Sequence, residues 1–80
     1  MLLDYLNAAM KKAKYEVLKD DGFYYGFIPG FRGVYAHASA LKVCREELRE
    51  ILEEWLFVRL RRNLSIPVVK SIDLNLKKVA

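Results

Sequence analysis

The stretch that most constrains this chain is Gly22-Phe23-Tyr24-Tyr25-Gly26-Phe27-Ile28-Pro29-Gly30-Phe31-Arg32-Gly33-Val34-Tyr35-Ala36. It reads as an aromatic strand, a Pro/Gly corner and a second short strand. Side chains alternate across a strand, so Phe23, Tyr25 and Phe27 share one face while Tyr24 and Ile28 take the other. Both faces of such a sheet carry large apolar groups. One helix covers one face only, and the second needs a partner. A chain of this kind is expected to bind protein rather than to carry out chemistry.

The neighbouring segments supply the rest of a small sandwich. Leu2, Leu3, Leu6, Ala9 and Met10 recur at helical spacing, with Asp4 early and Lys11-Lys12 late, which predicts a short helix over residues 2–12. Tyr15-Glu16-Val17-Leu18-Lys19 has strand propensity and runs into Asp20-Asp21-Gly22, a hairpin signal that joins it to a strand at 23–28. Pro29 closes that strand because it cannot donate to a ladder. Gly30 and Gly33 bracket a corner holding Phe31 and Arg32, and a third strand occupies 34–38. Ser39 is the expected N-cap of a long helix over 40–62. Its apolar stripe is Leu41, Cys44, Leu48, Ile51, Leu52, Trp55 and Val58, with charged residues off the stripe and Asn63 as the stop. Val69, Ile72, Leu74 and Leu76 suggest a last strand over 68–76. The expected fold class is α+β: a two-layer α/β sandwich of order α-β-β-β-α-β, with an antiparallel three-stranded sheet on one long helix. Residues 1–80 read as a single domain.

Eighty residues form a domain that buries only about 60% of its unfolded surface. An apolar content of 54% is too rich for disorder, and it points to dense packing or a shared interface. The longest apolar runs fall far short of the ~20 residues that span a bilayer, so no membrane association is expected. The N-terminal residues lack the basic and small-residue features of a signal peptide. Cys44 is the only cysteine, which suits a reducing cytoplasm. The net charge of +4 gathers at Lys11-Lys12-Lys14 and Arg59-Arg61-Arg62, with Lys77-Lys78 at the tail. The pattern fits nucleic acid or an acidic protein surface but is read first as cations complementing the C-terminal ends of helices.

Candidate chemistry is sparse. His37 and Cys44 are the sole histidine and cysteine, and a structural zinc site needs about four such ligands. His37 is read as decorating a sheet face, and Cys44 as a small buried apolar residue. The acidic pairs Asp20-Asp21, Glu46-Glu47 and Glu53-Glu54 sit in a turn or on a solvated helix face, with no apolar pocket to set their pKa values apart. Gly26, Gly30 and Gly33 lack phosphate-loop spacing. No catalytic, metal or cofactor site is expected, and the chain is read as a non-enzyme. Phe31 and Arg32 fit a protein anchor at the corner, since aromatics and arginine are enriched in hot spots. The alternative is that Phe31 tucks back to close the end of the sheet.

These residues resemble the HicB antitoxin family. The similarity lies in Lys14-Tyr15-Glu16-Val17-Leu18, the aromatic strand ending Ile28-Pro29, and Gly33-Val34-Tyr35-Ala36. Cys44-Arg45-Glu46-Glu47-Leu48 with Trp55-Leu56, and Leu64-Ser65-Ile66-Pro67, extend it over roughly residues 5–70. The resemblance implies a truncated ribonuclease H-like fold and neutralisation of a HicA-type toxin, an mRNA-cleaving ribonuclease, by direct complex formation. In place of the family's Thr-x-Glu capping box this chain has Ala40-Leu41-Lys42. Only about a dozen residues follow Ile66-Pro67, too few for a helix-turn-helix, so direct DNA binding is not expected. Phe31, Arg32 and Tyr35 are the expected partner-binding residues. Phe23, Tyr25 and Phe27 are the expected interface of a homodimer or higher oligomer. The alternative function is a stand-alone RNA-binding domain or an orphan homo-oligomer without a toxin.

Overall fold

The hairpin forms where Asp21 and Gly22 place it. The computed structural model describes residues 2–75, and in it β1 (Lys14–Leu18) pairs antiparallel with β2 (Phe23–Phe27), from Lys14 opposite Phe27 to Leu18 opposite Phe23. Gly22 adopts φ 73°, the left-handed region that costs glycine nothing, and its N–H donates to the Leu18 carbonyl. The Asp21 carboxylate accepts from the Phe23 N–H at 3.1 Å.

Two turns then follow back to back. The Phe31 N–H donates to Ile28 O across Pro29-Gly30, and the Val34 N–H donates to Phe31 O across Arg32-Gly33. Gly30 and Gly33 have φ 85° and 88°, the positive value that a type II turn demands at its third residue. The pair of turns shares Phe31 and delivers the chain into β3 (Tyr35–Ala38). β3 pairs antiparallel with β2, from Phe27 opposite Tyr35 to Tyr24 opposite Ala38, so the sheet order is β1-β2-β3.

A long helix, α2 (Leu41–Arg61), crosses the sheet face formed by Tyr24, Gly26, Ala36 and Ala38. Small residues at three of those four positions let the helix come close. A Cβ at Gly26 would lie 2.8 Å from a ring carbon of Tyr15 and 3.1 Å from Cys44 Sγ. Cys44, Leu48, Leu52 and Leu56 are buried along α2, while Ile51 and Trp55 are half-buried beside them. Leu41 and Val58 of the expected stripe are exposed, and Leu56, outside it, is buried. At Leu56 and Val58 the reason is the first helix, α1 (Leu2–Lys11), which packs on the Leu56 side of α2 and buries Tyr5, Leu6, Ala8 and Ala9. Arg49 ties the two helices together: it donates to Asn7 Oδ1 at 3.1 Å and pairs with Glu53 at 3.3 Å.

The N-cap of α2 is Ala40, not Ser39. Ala40 has extended backbone angles, φ −133° and ψ 142°, and no side chain caps the helix. The C-terminal end matches expectation. Asn63 adopts φ 56°, its N–H donates to Leu60 O, and the Leu64 N–H reaches Arg59 O at 2.9 Å, which together make a Schellman stop.

The expected last strand is replaced by a tight turn. Val69 and Ile72 exchange backbone hydrogen bonds around Lys70 and Ser71, whose φ values are 49° and 65°. Within residues 68–75 the apolar alternation therefore reflects a two-residue turn that buries Val69 and half-buries Ile72 and Leu74, and this segment does not join the sheet. Leu76 lies outside the described residues. The observed order is α-β-β-β-α, an α+β fold. The segment is held by side chains: Asn75 pairs with both backbone polar groups of Ile66, at 2.7 and 2.9 Å, and the Tyr5 hydroxyl donates to Pro67 O at 2.5 Å.

Candidate functional site: the open face of the sheet

With α2 on one face and α1 packed on α2, no element among the described residues covers the other face of the sheet. Strand alternation and register dictate what lies there. Phe23, Tyr25 and Phe27 of β2 stand beside Tyr35 and His37 of β3, bordered by Lys14, Glu16 and Leu18 of β1. The rings pack on one another. Tyr25 stacks on Phe27 at 5.6 Å and meets Tyr35 at 6.2 Å, while Phe23 sits 5.2 Å from the imidazole of His37. Phe23, Tyr25 and Phe27 are half-buried and Tyr35 is 57% exposed. Five contiguous rings on a surface reached by solvent form the kind of patch that marks protein association.

The three expected oligomer residues, Phe23, Tyr25 and Phe27, are thus together on this face, as their parity implies. The three expected partner residues are not together. Tyr35 belongs to the open face. Phe31 does not stand out as an anchor: it is 4% exposed, packed 6.3 Å from Tyr5 and 5.3 Å from Trp55. The two type II turns point it inward, where it closes the end of the core. Arg32 is exposed between those turns, and its carbonyl accepts from Trp55 Nε1 at 3.0 Å. His37 decorates the sheet and joins the aromatic patch.

Cys44 carries no accessible thiolate. Its side chain is fully buried, its thiol lies 3.6 and 3.7 Å from the carbonyls of Ala36 and Tyr24, and desolvation, with the Glu47 carboxylate second, pushes its pKa up. Among the described residues no three His, Cys, Asp or Glu side chains cluster to hold a metal ion. No helix among them is long and apolar enough to cross a membrane.

A model of the UPF0150-like family matches residues 4–67, which run from the first turn of α1 past the end of α2. The chain belongs to the UPF0150-like family. This is a HicB-like family of small proteins, in keeping with the resemblance carried by the aromatic strand and the Cys44–Leu48 segment. Among solved structures, the chain is similar to the TTHA0281 protein of Thermus thermophilus. The identity is 38%, the TM-score is 0.87, and the match covers 96% of this chain and 95% of that one. No curated protein matches the chain. In this UPF0150-like chain, sequence reasoning missed the notch at the far end of α2, where Trp55 meets Arg32 and Arg59. Its one sequence signal is the Trp55–Arg59 spacing of four, which brings a guanidinium over the indole at 4.6 Å.

Proposed function

We propose that this chain is an antitoxin-like protein-binding module that neutralises a HicA-type, mRNA-cleaving toxin by direct complex formation in the cytoplasm. The observation that carries the reading is the uncovered aromatic face of Phe23, Tyr25, Phe27, Tyr35 and His37. Membership of a HicB-like family supports it. In this reading the chain does no catalysis of its own. It works by covering the toxin, with Tyr35 and its neighbours supplying the contact. The test is co-expression with a HicA-type toxin, sought in the adjacent reading frame as a basic, double-stranded-RNA-binding-like protein. Wild-type chain should relieve the toxin's growth arrest and co-purify with it, while Tyr35→Glu should do neither. Arrest that persists with wild-type chain would refute the assignment.

A second reading, a homodimer or higher oligomer, rests on the same face. Three rings of one strand lie on it, and a soluble monomer rarely exposes more than a few hundred Å² of such surface. Sedimentation at micromolar concentration should show the wild type as an oligomer. Tyr25→Glu and Phe27→Glu should be monomers, because burying an unpaired charge in an apolar interface is costly. A monomeric wild type would leave the face to the heterologous partner alone.

A further inference from the structure

The far end of α2 holds a second built surface, on the side of the molecule where Phe31 closes the core. A notch of about 400 Å³ opens between the corner and the tail, lined by Arg32, Trp55 and Arg59 together with Gly30 and the Ser65-Ile66-Pro67 segment. Trp55 organises it from the centre. Its Nε1–H donates to the Arg32 carbonyl at 3.0 Å and so fixes the backbone from which the Arg32 side chain extends. Its ring carries the Arg59 guanidinium at 4.6 Å, and Arg59 Nε donates to Ser65 O at 2.8 Å. Arg59 is therefore held at one edge, and its terminal amino groups are left over. Among the described residues no carboxylate pairs with Arg32 or with Arg59; the ion pair on α2 is Arg49–Glu53.

Two arginines line this notch without a carboxylate partner among the described residues, Arg59 with its guanidinium held and Arg32 with its backbone fixed, an arrangement suited to an oxyanion. An arginine fork matches a planar carboxylate through paired hydrogen bonds. Recognition of single-stranded nucleic acid needs a free aromatic face for a base to stack on. The Trp55 ring is half-buried and already in contact with Arg59 at 4.6 Å and Phe31 at 5.3 Å, so it is not a free platform. The remaining lining, Gly30, Ser65, Ile66 and Pro67, offers no stacking platform. The geometry points to the Arg32–Trp55–Arg59 notch as a carboxylate-binding site that receives an acidic side chain of a protein partner, separate from the aromatic sheet face. This rests on the reading of the chain as a protein-binding module, and it adds a charged contact that sets the orientation of the partner.

Trp55 is the only tryptophan, so its fluorescence reports directly on the notch. The purified full chain is titrated with a hexaglutamate peptide at fixed low ionic strength, and in parallel with a hexauridylate and with inorganic phosphate. Hexaglutamate should give a saturable change that added salt weakens. Arg32→Gln removes an exposed guanidinium and should weaken binding by about tenfold, the loss of one charge-assisted interaction. Arg59→Lys keeps the charge but not the fork, and should weaken it as well. Arg61→Gln, outside the notch, should leave it unchanged. No saturable response to hexaglutamate, an equal response in Arg32→Gln, or tighter binding of hexauridylate or phosphate through the same arginines would overturn the proposal. The titration needs no toxin, so its failure is distinct from a failure to relieve growth arrest.

Discussion

Gly26 is the residue on which the contact between sheet and helix turns. Its missing side chain is where the Tyr15 ring and Cys44 Sγ come together beneath α2, at distances a Cβ could not share. Gly26→Ala should destabilise the fold by about 1–3 kcal/mol through overpacking, read as a lower urea midpoint with an unchanged slope. An unaltered midpoint would mean that Tyr15 swings aside freely. Tyr5 is the corresponding residue at the other end of the core. Burial, with the Asp73 carboxylate second, raises its pKa to about 12 from 10.0, and its hydroxyl satisfies Pro67 O. A proton held more tightly in the folded state stabilises that state below pH 10, and this contribution is lost as the pH rises towards 12. Tyr5→Phe should cost about 1–3 kcal/mol at neutral pH by leaving the carbonyl unpaired. Its gap from the wild type should narrow between pH 10 and 12 in denaturant titrations; a gap that stays constant there would contradict the shift.

The elements differ in how openly the sequence announces them. Asp21-Gly22, Pro29-Gly30 and Asn63 dictate backbone geometry locally, so the hairpin, the corner and the helix stop are legible before any packing is considered. Phe31 was not legible in this way, because its direction depends on two successive turns acting together. The α2 stripe is legible at Cys44, Leu48 and Leu52, which face the sheet. It fails at Leu56 and Val58, where the buried side is decided by the docking of α1, a tertiary choice with no local signature. Residues 68–75 misled for a different reason. Alternation predicts a strand, but a turn at Lys70-Ser71, without the glycine or asparagine such a turn prefers, leaves the same apolar residues on one side. The start of α2 carries a testable weakness: Ala40 offers no cap, and the first turn has no acid. Ala40→Ser should stabilise the protein by about 1 kcal/mol, and adding Val43→Glu would complete a capping box. Thermal melts check this, and a lower midpoint for Ala40→Ser would show that the helix start is set by other contacts.

The whole molecule is a two-layer arrangement with one layer left open. α2 and α1 occupy one side of the sheet, and five rings occupy the other. The parity of Phe23, Tyr25 and Phe27 placed this face in the sequence itself. The notch at Arg32, Trp55 and Arg59 depends on contacts 23 residues apart and was not legible there. The role proposed for the open face is to bind and silence a ribonuclease toxin. The most direct measurement is cleavage of a messenger RNA by the purified toxin as this chain is added. Wild-type chain should abolish cleavage near equimolar ratio, and Tyr25→Glu, with its circular dichroism unchanged, should leave cleavage intact. Equal inhibition by both would contradict that role.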